Sequence, residues 1–136
     1  MTIKRIDHIA VVVENLDAAL AVYRDALGMT VSRIETIPEQ DVKIGFLPSG
    51  DSEIELLEPI NPDSGIARYL AKRGEGLHHI CLEVDDIRET LADLKDRGVQ
   101  LIHEIPQRGA YGMIAFVHPK GANGVLIELL EKEPAF

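Results

Sequence analysis

The spacing of apolar positions changes several times in the first sixty residues. Residues 6–13 are rich in β-branched side chains, the pattern of a strand. After Asn15 the period lengthens. Leu16, Ala19, Leu20, Tyr23 and Leu27 recur at helical spacing, with Asn15 as the N-cap and Gly28 as the stop. Three strand-like pieces follow at residues 31–37, 42–47 and 53–57, the last two joined by a Pro48-Ser49-Gly50-Asp51 turn. Asn61-Pro62-Asp63-Ser64 then opens a short helix with Ile66, Tyr69 and Leu70 on one face, which ends across Lys72-Arg73-Gly74-Glu75-Gly76. The cycle then restarts. Residues 79–84 read as a strand and Asp86 as a cap, with Ile87, Leu91 and Leu94 as the apolar stripe and Gly98 as the stop. Strands are expected at 99–104, 114–117 and 125–130, with a turn across 118–124.

The restart is a repeat in the residues themselves. A shift of 71 positions carries Asp7-His8-Ile9-Ala10-Val11 onto His78-His79-Ile80-Cys81-Leu82. A shift of 73 carries Ile54-Glu55-Leu56-Leu57-Glu58 letter for letter onto Ile127-Glu128-Leu129-Leu130-Glu131. Two matches in the same order at nearly one offset predict an α+β fold. It is built from two βαβββ modules with pseudo-twofold symmetry that form a curved mixed sheet around a central site. We expect residues 1–136 to be a single domain. Module one spans about 1–60, the connecting helix about 61–75, and module two about 76–136.

Composition narrows the function. The 136 residues are 46% hydrophobic and 27% charged, an ordinary globular balance. The charge, 14 − 23 = −9, repels nucleic-acid backbones and anionic membrane surfaces. With no tryptophan and 4% aromatics, the chain has little with which to stack single-stranded bases. The lone Cys81 excludes an intrachain disulfide framework and fits a reducing cytoplasm. No signal-peptide pattern and no apolar run long enough to span a bilayer are expected.

Four polar residues then stand out. Strand side chains alternate faces, so His8 shares its face with Ile6, Ala10 and Val12, and Glu128 with Leu126 and Leu130. Glu55 lies with Leu57 and Glu53, and His79 with Leu77, Cys81 and Glu83. A carboxylate flanked by leucines is costly to bury unless positive charge meets it. The four come in matched pairs, and a pseudo-twofold axis brings one His and one Glu from each module to a common centre. Two imidazoles and two carboxylates make a mixed nitrogen–oxygen site for a divalent cation. Cobalt, nickel, zinc and manganese all suit it. His78 points to the opposite sheet face, and His103 and His118 have no partner in the first half.

With these residues the chain resembles the vicinal oxygen chelate superfamily, which includes glyoxalases, bleomycin resistance proteins and dioxygenases. Within it the chain is similar to the methylmalonyl-CoA epimerase family. The resemblance runs from Ile6 to Leu130. It is carried by Ile6-Asp7-His8-Ile9, Pro38-Glu39-Gln40, Glu55-Leu56-Leu57-Glu58-Pro59, Asp63-Ser64, Gly76-Leu77-His78-His79-Ile80, and His118-Pro119-Lys120 followed by Gly124-Val125-Leu126-Ile127-Glu128-Leu129. It implies His8, Glu55, His79 and Glu128 as metal ligands, with Gln replacing the residue at position 55 in some relatives. It also implies an acyl-CoA thioester substrate, a homodimer, and proton exchange at carbon 2 of methylmalonyl-CoA through an enolate. Glu128 matches one of two opposed acid/base groups. The position of the other, used in some bacterial members, is Ile44 here, which cannot move a proton. Lys72, Arg73, Arg108 and Lys120 are candidates for meeting CoA phosphates.

Three alternatives share the fold. Glyoxalase I also polarises a carbonyl with a four-ligand metal site. An extradiol dioxygenase needs a two-His, one-carboxylate iron site in a longer chain. A metal-free ligand-sequestering protein has no need of four ligands in symmetric register.

Overall fold

The computed structural model describes residues 2–133. They divide into two compact units, one running from His8 to His78, the other comprising the segment up to Asp7 together with the chain from His79 onward. The fold class is α+β, as the alternating periods predict. Among the described residues no helix is long and apolar enough to cross a membrane.

The His8–His78 unit contains most of β1 (Ile3–Val12), then α1 (Leu16–Leu20), β2 (Arg33–Ile37), β3 (Val42–Ser49), β4 (Ser52–Pro59) and α2 (Gly65–Arg73). Its strands lie in the order β2-β3-β4-β1, with β1 and β4 parallel and the other pairs antiparallel. Asn15 caps α1, its side chain accepting from the Ala18 amide at 2.8 Å. Leu16 and Leu20 bury against Val13, Leu47 and Leu56 on one face of the sheet. Gly45 lets the helix come this close, because a Cβ there would sit 3.0 Å from Leu16 Cδ1. On the opposite face Ala10, Val42, Ile44, Phe46 and Leu57 form a second apolar layer.

The expected helix of residues 16–27 is not uniform. After Leu20 the chain widens into a π-helical turn, Ala21–Ala26, closed by a Leu27 amide to Val22 carbonyl bond of 2.8 Å. The wider turn rotates Leu27 off the apolar stripe, leaving it 65% exposed.

The other unit pairs the amino-terminal half of β1 with β5 (Gly76–Val84), followed in the sheet by β8 (Ile127–Lys132), β7 (Gly112–Val117) and β6 (Gln107–Arg108). The amide of Thr2 donates to Asp85 Oδ1 at 2.8 Å, and the Asp85 amide donates back to the Thr2 carbonyl. Helix α3 (Ile87–Asp96) is capped by Asp86, whose Oδ1 accepts from the Glu89 amide at 3.0 Å. Ile87 and Leu91 of this helix pack with Val84, Ala115, Val117 and Leu129.

The strand expected at 99–104 is a correction. It shrinks to a single bridge, Leu101 with Val117. The amides of Ile102 and His103 both donate to the Phe116 carbonyl, at 2.9 and 3.3 Å, so the ladder cannot advance. Pro106 has no amide hydrogen to resume it, and pairing restarts only at Gln107 with Ile114.

Candidate metal centre

The duplicated pentapeptide explains how each unit builds its own His–Glu pair. In β4, Ile54 and Leu56 face α1, while Glu55 and Leu57 face the other side of the sheet. Glu55 stands in register with Ala10 of β1 and Phe46 of β3, one step along from His8. His8 Nδ1 lies 3.2 Å from Glu55 Oε2, and their side chains are 9% and 10% exposed. The second unit repeats the construction. Glu128 of β8 stands in register with Cys81 of β5 and Phe116 of β7. Glu128 Oε1 is 3.1 Å from His79 Nε2, with exposures of 12% and 10%. The repeat is one of position and not of nitrogen, since His8 turns Nδ1 to its carboxylate and His79 turns Nε2.

Each pair places an ionisable oxygen and an imidazole nitrogen in an apolar setting, among Ala10, Phe46 and Leu57 on one side and Cys81, Phe116 and Leu130 on the other. Buried charge of this kind needs a counter-charge. The donor chemistry, nitrogen with oxygen, is that of a borderline divalent metal.

Two residues beside each pair carry the repeat further than the sequence comparison showed. Phe46, in register with Glu55, is covered by the Arg33 guanidinium at 3.8 Å from the ring centroid. Phe116, in register with Glu128, meets the His103 ring at 5.9 Å and the His79 ring at 5.8 Å. The backbone agrees. Ser32 donates to the Phe46 carbonyl and Ile102 to the Phe116 carbonyl, each at 2.9 Å and each immediately before the basic residue. His103 therefore does have a first-half counterpart, Arg33, at an offset of 103 − 33 = 70. The change of residue type hid it. His103 is anchored, because its Nδ1 accepts from the Phe116 amide at 3.2 Å, which fixes the neutral ring as the Nε2–H tautomer.

The remaining histidines are structural. His78 packs edge-on to Tyr69 at 4.6 Å. His118 Nδ1 accepts from the Lys120 amide at 3.0 Å and caps the short turn Pro119–Gly121. Ile44 is 4% exposed within the apolar layer, opposite Leu57 and Glu35. On the His79 face of the second unit a charged cluster surrounds Glu83, which is 5% exposed. Arg5 Nε lies 3.1 Å and Lys132 Nζ 3.6 Å from its Oε1, yet neither makes a well-aligned hydrogen bond to it. Lys132 also bonds Asp7 at 2.7 Å, which raises its pKa above the usual lysine value.

Residues 7–117 match the Glyoxalase/Bleomycin resistance protein/Dioxygenase superfamily, and the chain belongs to it. Among curated relatives, the ethylmalonyl-CoA/methylmalonyl-CoA epimerase of Cereibacter sphaeroides is 40% identical over 130 residues, covering 93% of this chain and 97% of that one. The mitochondrial methylmalonyl-CoA epimerase of Homo sapiens is 41% identical over 127 residues, 92% of this chain and 72% of that one. A variant of Streptomyces coelicolor methylmalonyl-CoA epimerase solved with 2-nitronate-propionyl-CoA superposes with a TM-score of 0.85 at 38% identity, covering 98% of this chain and all of that one.

Proposed function

We propose that the chain is an isomerase that epimerises methylmalonyl-CoA at carbon 2, using one divalent cation held by His8, Glu55, His79 and Glu128 together. The observation that carries this reading is the pair of buried His–Glu couples at equivalent positions of the repeat. Two carboxylates contribute −2 and the ion +2, which removes the cost of leaving the acids uncompensated. The epimerase relatives and the solved acyl-CoA complex supply the substrate class. A cytoplasmic homodimer belongs to the same reading.

When bound, the ion supplies Lewis-acid polarisation of the thioester oxygen. The chain supplies the proton transfers. Glu128 takes the hydrogen from carbon 2 onto a carboxylate oxygen, and the C–H electron pair moves into the thioester as an enolate. A donor on the opposite face then returns a proton to carbon 2, inverting the centre. Ile44 cannot be that donor. Cys81 and Phe116, in register with Glu128, give that carboxylate an apolar setting that limits competition from bulk water.

Incubation with methylmalonyl-CoA in D₂O tests this reading. Deuterium enters carbon 2 with the metal-loaded protein and does not after chelation. The hemithioacetal of glutathione and methylglyoxal serves as the competing substrate. Turnover of that compound alone would assign the chain to glyoxalase I, and binding of ligands without turnover or metal would assign it to sequestration.

A further inference from the structure

We propose that His103 is a positioning residue for the candidate metal centre, fixing the ring of His79 through Phe116, an inference that rests on the metal reading above. Phe116 stands in register with Glu128, and cross-strand neighbours of this kind lie side by side on one sheet face. Its ring meets the His79 ring at 5.8 Å and 85°, an edge-to-face contact. Phe116 is therefore a neighbour of both members of the His79–Glu128 pair, whose own separation is 3.1 Å. A displaced Phe116 ring would let His79 turn its Nε2 away from that carboxylate and from an ion beside it.

The sheet alone does not hold Phe116. A full strand beside it would offer a backbone carbonyl to its amide, but residues 99–104 give only the bridge Leu101 with Val117. The His103 side chain supplies the acceptor instead, with Nδ1 3.2 Å from the Phe116 nitrogen. The amides of Ile102 and His103 hold the Phe116 carbonyl at 2.9 and 3.3 Å, and the His103 ring lies 5.9 Å from the Phe116 ring. His103 thus grips the amide, the carbonyl and the ring of one residue. In the first unit β2 pairs with β3 at five consecutive positions, Arg33 with Phe46 among them. There the ladder holds the phenylalanine, so the equivalent place can carry an arginine.

The test uses the full chain, metal-free for amide exchange by NMR and loaded with cobalt(II), whose visible spectrum follows the geometry of its ligands. His103→Leu keeps bulk against Phe116 and removes the acceptor. It should speed exchange of the Phe116 amide and weaken cobalt binding, each by about 3- to 10-fold, the equivalent of one lost neutral hydrogen bond, and shift the spectrum. His103→Asn, whose side-chain oxygen sits close to the place of Nδ1, should restore all three. In a Phe116→Leu background, His103→Leu should shift the spectrum no further, because the ring that carries the effect is gone. His103→Gln, with its amide one carbon further out, replaces the leucine variant if that one does not fold. A leucine variant with wild-type affinity and spectrum overturns the assignment. So does an asparagine variant that behaves like the leucine one, or a full further shift in the Phe116→Leu background. A wild-type chain that binds no cobalt removes the metal reading itself, which an unmoved leucine variant leaves standing.

Discussion

Glu131 Oε1 accepts the backbone amide of Ile87 at 2.9 Å, closing the start of α3 from a strand 44 residues downstream. Glu58 does the same for Leu16 at the start of α1, at 2.8 Å. The final glutamate of the repeated pentapeptide is thus a helix cap, three positions from its counterpart in the His–Glu pair and on the opposite sheet face. Asp86 and Asn15 cap the next turn from the local chain, so each helix start draws on two acceptors. Replacing Glu131 by Ala should lower unfolding free energy by about 1 kcal/mol, the usual size of a lost cap, with metal content unchanged. Glu131→Gln, which keeps an acceptor oxygen, should lose less. Urea melts with metal analysis on both variants check this.

Glu55 and Glu128 are equivalent by position but not by proposed role. Glu55→Gln keeps an oxygen donor beside His8, so the variant should hold its ion about 10- to 100-fold more weakly, not lose it. Titration with a competing chelator measures the change. Retention at wild-type affinity would place Glu55 outside the ligand set.

Glu128→Gln removes the carboxylate proposed to take the carbon 2 proton. Deuterium exchange should fall by about 10²- to 10⁴-fold while the circular dichroism spectrum and melting transition stay close to wild type. Undiminished exchange would remove Glu128 from the acid/base role.

Lys132 gives the pH dependence a definite sign. Its pKa is raised above 10.5, chiefly by the hydrogen bond to Asp7, against a smaller lowering by burial. A group whose folded pKa is raised contributes fully below its unfolded value and loses that contribution as pH climbs through the folded one. The stability gap between wild type and Lys132→Met should therefore be flat from about pH 6 to about pH 9 and shrink only in the alkaline range above 10.5. The side chain is 42% exposed, so solvent screening keeps the gap small. Denaturant melts across that range measure it.

Much of this was legible in the residues because the fold was written twice. Asn15 and Asp86 announce their helices by local chemistry, and both caps are present. His8, Glu55, His79 and Glu128 were visible as matched polar positions on apolar strands, and each unit pairs its own two. Three features escaped for physical reasons. The partners of Glu58 and Glu131 lie more than forty residues away, beyond any local pattern. Arg33 and His103 share a backbone position but no side-chain chemistry, so identity matching passed over them. The strand expected at 99–104 carries Val99, Leu101 and Ile102, but the doubled bond at the Phe116 carbonyl and the missing amide of Pro106 stop its ladder. Ile102, 47% exposed, gains little burial to reward its β propensity.

Metal stoichiometry in single-histidine variants bears most directly on whether two His–Glu pairs share one ion. Purified chain loaded with cobalt or zinc and freed of excess should contain one ion per chain by elemental analysis. His8→Ala and His79→Ala should each abolish it, although each change touches only one pair. Two ions per wild-type chain, or a full complement surviving either substitution, would mean that the pairs act separately and would contradict the shared centre.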